Sequence, residues 1–371
     1  MLRDLTSSAR RLALVGLAKN TGKTVALTAL LRELEGDGGR TGVTSVGRDG
    51  EGRDVIDSRI EKPRIGLSVG SLVATTDTLL RASAIPHELL EDPGMRTPLG
   101  RVLIARLQGA GEIEIAGPSA AQDVRAVSDA MLAHGAEQVL IDGAVDRRAA
   151  SAPDVADGLV MSTGAVLDRD IDEVVLKTRD AVDLVRLPLL EDSSDAGRRL
   201  RELAAACAGG AAGVGRASVL VGEDLEPVVL PPRFVLTAEA EQVAQLLDEN
   251  PGARWLLVAG ALADRFLRSL LHPLHHRGRE LFVVVADPTK AFLWKRGPEW
   301  YRLQGVLLQT LAHIELRAIT VNPVAPQSHR FDSAQLCALL REAIPDVPIF
   351  DVLDAEHAGP RKVGDVAIGS A

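Results

Sequence analysis

A short apolar segment, a loop bounded by glycines and a helical pattern follow one another near the start of the chain. Residues 12–15 are all apolar, which is typical of a buried parallel strand. Gly16 and Gly22 bound the loop, and leucines at positions 27, 30, 31 and 34 then recur with the spacing of one helix face. A helix that begins directly after such a loop presents backbone N–H groups and its positive dipole end to anions. The segment therefore predicts an anion site between a strand and a helix.

The end of the loop indicates that this anion is a phosphate. Gly22 is followed by Lys23 and Thr24, as in the phosphate-binding loop of nucleoside triphosphatases, although five residues rather than the usual four separate the two glycines. In this pattern the lysine contacts the terminal phosphates and the threonine hydroxyl binds Mg²⁺. An ordinary glycine-rich turn is the alternative interpretation. The residues predicted to contact ATP are Gly16, Lys19, Asn20, Thr21, Gly22, Lys23 and Thr24.

Two carboxylates follow predicted strands and are candidate metal ligands. Asp142 ends an apolar run, which places it at the C-terminal edge of a parallel strand, where open α/β sheets bind ligands. A carboxylate there is a usual partner of nucleotide-bound Mg²⁺, so we predict Asp142 as a metal ligand and, with Lys23, as a catalytic residue. Asp49 lies just beyond a second predicted strand and could complete the metal site with Thr24. A turn or helix cap for Asp142, and a surface loop for Asp49, are the alternatives.

The composition is that of a globular chain and argues against two classes of partner. Of the 371 residues, 46% are hydrophobic and only 3% are aromatic, so the core must use small aliphatic side chains, which suits layered α/β packing. The net charge of −9 provides no basic excess, which argues against general binding of nucleic acid or of anionic membranes. Two cysteines make no disulfide framework, and no apolar segment is long enough to span a bilayer. We therefore expect a cytoplasmic location.

The length of the chain and the alternation of its patterns predict two domains. Apolar runs alternate with helical patterns, which predicts an α/β fold with mostly parallel sheets. We expect a three-layer P-loop nucleotide-binding domain at residues 1–195, with an antiparallel insertion at about 63–117. An alanine- and glycine-rich segment at 196–216 is the expected linker, and a second α/β domain is expected at 217–371.

The N-terminal domain resembles the dethiobiotin synthetase branch of P-loop proteins. That branch also has five residues before Gly-Lys-Thr, a Gly-Arg-Thr step after the first helix, as at residues 39–41, and an acid-Gly-Ala strand end, as at residues 142–144. This resemblance implies an ATP-dependent small-molecule ligase. The branch places a substrate lysine after its second strand, whereas this chain has Thr-Ser-Val-Gly at residues 44–47, which departs from the ligase pattern.

A second resemblance extends over nearly the whole chain. Its motifs are residues 16–24, 97–100, 116–119, 141–147, 162–165, 288–290 and 319–323. In these motifs the chain resembles the accessory subunit encoded beside lysine 5,6-aminomutase and ornithine aminomutase in clusters for amino-acid fermentation and lysine degradation. The resemblance implies an ATP- and Mg²⁺-dependent reactivase for a cobalamin-dependent aminomutase, acting with a MutS-like ATPase partner.

Three functions are consistent with the sequence. The first is a reactivating ATPase that acts on a protein, with residues 49–53 as the segment that responds to the nucleotide. The second is an ATP-dependent ligase or synthetase for a small molecule. The third is a regulatory module that binds a nucleotide without hydrolysing it. The oligomeric state and the base preference stay open.

Overall fold

The chain forms two compact units in the computed structural model, which describes residues 2–35, 40–47, 64–144, 148–209, 217–326 and 328–353. The first unit comprises residues 1–150, 156–175 and 317–371, and the second comprises residues 151–155 and 176–316. Each unit combines a sheet with helices, so the α/β class predicted from the sequence is confirmed. Within the described residues, no helix has the length and apolar character needed to span a membrane.

The strands are numbered in chain order. They are β1 (Arg11–Gly16), β2 (Thr41–Ser45), β3 (Ile65–Leu67), β4 (Leu72–Thr76), β5 (His87–Glu91), β6 (Arg96–Thr97), β7 (Gly100–Leu107), β8 (Gly111–Ile113), β9 (Gln138–Ala144), β10 (Gly158–Gly164), β11 (Val219–Gly222), β12 (Pro227–Val229), β13 (Ala253–Leu257), β14 (Leu262–Ala263), β15 (Leu281–Val285), β16 (Ala291–Phe292), β17 (Val306–Thr310), β18 (Glu315–Asn322) and β19 (Ile349–Asp351).

The α-helices are numbered in the same way, and in the described residues short 3₁₀ helices lie between them at Arg148–Ser151, Ala165–Leu167 and Pro288–Lys290. The α-helices are α1 (Leu2–Thr6), α2 (Lys23–Glu35), α3 (Asp77–Ala82), α4 (Ala121–Ala133), α5 (Ile171–Val185), α6 (Asp195–Gly209), α7 (Phe234–Thr237), α8 (Ala240–Glu249), α9 (Asp264–Arg277), α10 (Pro298–Leu303) and α11 (Ser333–Ala343).

The first unit is built on a ten-stranded sheet with the order β19-β18-β10-β1-β9-β2-β4-β7-β5, and β6 pairs with β7. Strand β1 is parallel to both β9 and β10, and β2 is parallel to β9 and β4. Strand β7 is antiparallel to β4 and β5. The antiparallel part predicted for residues 63–117 is therefore present in the residues described from 64 onward. Strands β5 and β7 extend the main sheet, and β3 and β8 form a separate antiparallel pair.

The central strands of this sheet carry apolar residues, and the helices that cover the sheet bury them. Residues 12–14 of β1 are completely buried, as expected for a strand inside a parallel sheet. Helix α2 buries Ala26, Leu27, Leu30 and Leu31 in the same apolar cluster. The helix and the strand are joined directly by the loop, so this packing fixes the position at which α2 begins.

The second unit has a five-stranded sheet with the order β12-β11-β13-β15-β17. Strands β13, β15 and β17 are parallel, and β11 is antiparallel to β12 and β13. A separate parallel pair joins β14 to β16. The largest side chain that is fully buried is Tyr301 of α10, which packs in the core of this unit.

The units do not follow the boundaries expected from the sequence. Strands β18 and β19 belong to the ten-stranded sheet of the first unit, although residues 217–371 were expected to form one separate domain. Most of the expected linker is helix α6, whose Leu200, Leu203 and Cys207 pack under the sheet of the second unit; residues 210–216 lie outside the described residues. An apolar strand pattern does not specify which sheet the strand joins, because strand pairing is non-local.

Candidate functional site

The glycine loop (residues 16–22) connects β1 directly to α2. The N–H of Leu17 donates to the carbonyl of Ser162 in β10, at 2.8 Å, which fixes the start of the loop. Asn20 has φ of 65° and Gly22 has φ of 85°, both in the left-handed region. The carbonyl of Gly22 then accepts from the N–H of Ala26, at 3.0 Å, in the first turn of α2. Left-handed residues beside a helix start orient N–H groups toward one concavity, which suits an anion.

Gly16 is required by close packing within the loop. A Cβ atom at this position would clash with the hydroxyl of Thr21. The Thr21 side chain is buried, and its hydroxyl donates to the carbonyl of Ala18 at 3.1 Å. The loop is therefore held by its own polar side chain, and only glycine fits where it leaves the strand.

Lys23 and Asp142 form the charged centre of the site. The Lys23 Nζ atom lies 2.7 Å from Asp142 Oδ1, and the two side chains are 21% and 24% exposed. The contact follows from the fold because β9 lies directly beside β1, with Asp142 opposite Leu14 in the pairing. Asp142 Oδ1 is buried, and the Lys23 ammonium is its one partner within the described part of the chain. A buried oxygen in this state is open to a further donor or a cation.

The backbone of Asp142 is tied to the end of the neighbouring strand β2. The carbonyl of Asp142 accepts from the N–H of Val46 at 2.9 Å. Ser45 accepts from the N–H of Gly117 through its hydroxyl, at 3.0 Å, and Gly47 donates to the carbonyl of Pro118 at 2.8 Å. The residues that follow β2 are thus hydrogen-bonded to the backbone of Asp142, the residue whose side chain pairs with Lys23, and to the segment at residues 117–118.

Asn322, at the end of β18, packs against the glycine loop. Its side-chain Nδ2 donates to the carbonyl of Asn20 at 2.8 Å, and its Oδ1 accepts from the N–H of Val324 at 3.1 Å. A Cβ atom at Gly22 would lie only 3.1 Å from the Cβ of Asn322. One at Gly164 would clash with the Asn322 carbonyl. With both ends of its amide engaged, Asn322 supports the left-handed residue Asn20.

The donors present at this site fit a magnesium ion that is shared with phosphates. Thr24 is in the first turn of α2, and Asp142 Oδ1 is a buried carboxylate oxygen that can still accept a further donor or bind a cation. Among the described residues no group of three His, Cys, Asp or Glu side chains is arranged to hold a metal. Mg²⁺ does not require such a cage, because it usually takes one or two protein oxygens together with phosphate oxygens and water.

Most of the predicted site residues are brought together, and one is not described. Gly16, Asn20, Thr21, Gly22, Lys23 and Thr24 lie in one continuous turn, with Asp142 on the adjacent strand. Lys19 lies on the exposed part of the loop. Asp49, predicted as a metal ligand, lies outside the described residues, as does the rest of the segment 49–53.

Sequence reasoning missed Asn322 as a site residue. The sequence shows residues 319–323 only as a motif and assigns them to the domain at 217–371, whereas the strand that ends at Asn322 lies in the same unit as the glycine loop. The available signal was the polar Asn-Pro step directly after an apolar strand, which resembles Asp142-Gly143 in its position at a strand end.

Comparison of the chain with models of protein families, with curated proteins and with solved structures found no significant match in any of the three.

Proposed function

We propose that this chain binds ATP with Mg²⁺ at the glycine loop and is the ATPase component of a factor that reactivates an adenosylcobalamin-dependent lysine or ornithine aminomutase. The observation that carries the nucleotide part is the contact of 2.7 Å between Lys23 Nζ and Asp142 Oδ1 at the end of a strand–loop–helix turn. The aminomutase part rests on the resemblance of seven motifs distributed along the chain.

The charges at the site support a change of partner for Lys23, from Asp142 to the triphosphate, when ATP binds. Lys23 is a compact point charge on a flexible stem, which suits contact with terminal phosphate oxygens. An incoming triphosphate competes with Asp142 for this ammonium, because both are anions. Asp142 then loses its counter-ion, and a magnesium ion, which neutralises phosphate charge in such sites, would be held by its carboxylate and by the Thr24 hydroxyl.

The hydrogen bonds around Asp142 support a route from the nucleotide to the rest of the unit. When the Asp142 side chain turns from Lys23 toward a metal, the surroundings of the Asp142 backbone change as well. The backbone carbonyl of Asp142 accepts the hydrogen bond from the N–H of Val46. The residues directly after β2 include the segment 49–53 that we proposed as nucleotide-responsive. Ordering and release of such a segment is a common way for nucleotide triphosphates to drive conformational change.

A reactivation assay tests the proposed function as a whole. A cobalamin-dependent aminomutase is inactivated with its substrate and then supplied with this chain, a MutS-like ATPase, ATP, Mg²⁺ and fresh adenosylcobalamin. We expect weak ATP hydrolysis by the chain alone, and faster hydrolysis together with recovery of mutase activity in the full mixture. Equal recovery with and without the chain would contradict the reactivase proposal.

A pair of lysine variants makes the assay specific for the nucleotide site. Lys23→Ala removes the charge at the loop, and Lys177→Ala removes an exposed lysine of helix α5. Recovery should be lost with Lys23→Ala and kept with Lys177→Ala. Hydrolysis that is absent in every mixture, with ATP binding intact, would instead favour a regulatory module without turnover.

A further inference from the structure

The second unit exposes an unusual aromatic side chain on the segment that follows β16. Trp294 is 68% exposed, the largest exposure among the large hydrophobic side chains of the described residues. It lies in residues 291–297, named here the aromatic loop, which also carries Phe292, exposed at 46%. The chain has only three tryptophans and 3% aromatic residues. Exposed tryptophan is uncommon on a free surface and is enriched at the energetic centres of protein interfaces.

Hydrogen bonds hold the backbone of Trp294 on both sides. Its N–H donates to Asp264 Oδ1 at 3.0 Å, and its carbonyl accepts from the guanidinium of Arg268 at 3.1 Å. Arg268 also contacts Asp264 Oδ2 at 2.7 Å. The Asp264 carboxylate further accepts from the hydroxyl of Tyr301 at 2.6 Å. The loop is thus anchored to a side chain in the core, and burial together with Asp264 raises the pKa of Tyr301.

The neighbouring cation is held in place too. The guanidinium of Arg296 lies 5.5 Å from the centre of the Trp300 ring, and that ring meets Tyr301 edge to face at 5.1 Å between centroids. Gly297 ends the loop where a Cβ atom would clash with the Asp180 carboxylate. Trp294 and Arg296 are therefore presented by a preorganised backbone, so little conformational entropy is lost when a partner binds them.

The charge of the loop is opposite in sign to that of the chain. Residues 291–297 carry two cations, Lys295 and Arg296, and no acidic residue, although the net charge of the chain is −9. Among the acidic side chains that border the loop, Asp287 pairs with Lys290, and Asp180 lies beside Gly297. Lys295 is exposed and makes no ion pair within the described part of the chain. Two cations are too few for binding dominated by the phosphate backbone of a nucleic acid. An exposed tryptophan beside two cations instead suits a protein surface that is apolar at its centre and acidic around it.

We propose that the aromatic loop is a docking site for an acidic surface of a partner protein, with Trp294 as the central apolar contact and with Lys295 and Arg296 as the charged contacts. This inference goes beyond the proposed function, because it concerns the second unit and requires no nucleotide. A failure of ATP binding and a failure of docking are therefore separate results.

Site-specific crosslinking in cells of the source organism tests the proposal on the full chain. The photoreactive residue p-benzoylphenylalanine replaces Phe292 in one version and Val229 in the control version. Val229 is 54% exposed on the edge strand β12 of the same unit. Crosslinked peptides are identified by mass spectrometry, and thermal unfolding of each purified variant verifies that it is folded.

We expect one protein to dominate the products at position 292, joined through a segment of net negative charge, and to be absent at position 229. Trp294→Ala and the charge reversal Lys295→Glu with Arg296→Glu should each reduce its yield by about tenfold, because central aromatic contacts and charged contacts set affinity and encounter rate. The proposal is overturned by products that are a second copy of this chain, a nucleic acid or a lipid. Equal crosslinking yields at positions 292 and 229, the absence of any product, or a yield that charge reversal leaves unchanged would also overturn it.

Discussion

Asp142 and Asp264 each contact a cation, one in each unit, and the rest of their surroundings differ. Asp142 contacts Lys23 through an oxygen that has no other partner among the described residues, and both side chains are more than 20% exposed. Asp264 accepts from Trp294 and Tyr301 through one oxygen and contacts Arg268 through the other. Its side chain is 13% exposed.

The difference separates a carboxylate that can change partners from one that holds a structure together. A single flexible ammonium is replaced at small cost when another cation arrives, since a partly exposed ion pair contributes little to stability. Three donors that converge on one carboxylate form a network, and removing the carboxylate takes the shared acceptor from all three, although Arg268 keeps its bond to the Trp294 carbonyl. The two environments therefore predict effects on different properties, ligand binding for Asp142 and stability for Asp264.

The largest expected effect is the loss of stability in Asp264→Ala. The substitution leaves the Tyr301 hydroxyl without its acceptor, which should cost the upper part of about 1–3 kcal/mol of unfolding free energy, while Arg268, whose side chain is 49% exposed, stays hydrated. The control is Asp195→Ala, whose side chain is 98% exposed, and it should change stability by less than about 0.5 kcal/mol. Urea unfolding followed by tryptophan fluorescence reports on the second unit, because Trp255, Trp294 and Trp300 all lie there. Equal losses in both variants would remove the distinction between the two carboxylates.

A smaller effect is expected for Tyr301→Phe. The hydroxyl is lost while the ring stays, so Asp264 keeps its contacts with Trp294 and Arg268, and the cost should be about 1–2 kcal/mol. The same substitution made together with Asp264→Ala should cost less, because the hydroxyl then has no acceptor. Additive losses in this double-mutant cycle would show that the hydrogen bond of 2.6 Å contributes nothing.

The smallest effect is expected at the glycine loop, in Asn322→Ala. Removal of one hydrogen bond to the Asn20 carbonyl should weaken ATP binding by about 0.5–1.5 kcal/mol, or roughly 2- to 13-fold, without unfolding the first unit. Val324→Ala is the matched control, because Val324 is 41% exposed two residues away. Calorimetric titration measures the affinities, and thermal unfolding verifies the fold. Identical affinities for the two variants would argue against support of the loop by Asn322.

The part of the site that sequence predicted is the part that is local. The residues from Gly16 to Thr24 follow from one continuous pattern of strand, loop and helix, and Asp142 follows from the general position of polar residues at strand ends. Asn322 reaches the loop from 302 residues away, through a strand order that no periodicity encodes. The sequence does not indicate the Asp264 network either, because its members are separated by up to 37 residues and none of them belongs to a recognisable local motif. The expected boundary at 196–216 differed from the structure for the same reason, since alanine and glycine also suit helix α6.

The most direct test of the nucleotide site is the affinity of the folded Lys23→Ala variant for MgATP, measured by calorimetry beside the wild-type chain and Lys177→Ala. Because a charged group contributes about 1.5–3 kcal/mol to a hydrogen bond, Lys23→Ala should bind MgATP roughly 13- to 160-fold more weakly, while Lys177→Ala binds as the wild type does. Unchanged affinity in folded Lys23→Ala, or absence of binding by the wild-type chain, would contradict the assignment of the glycine loop as a nucleotide site.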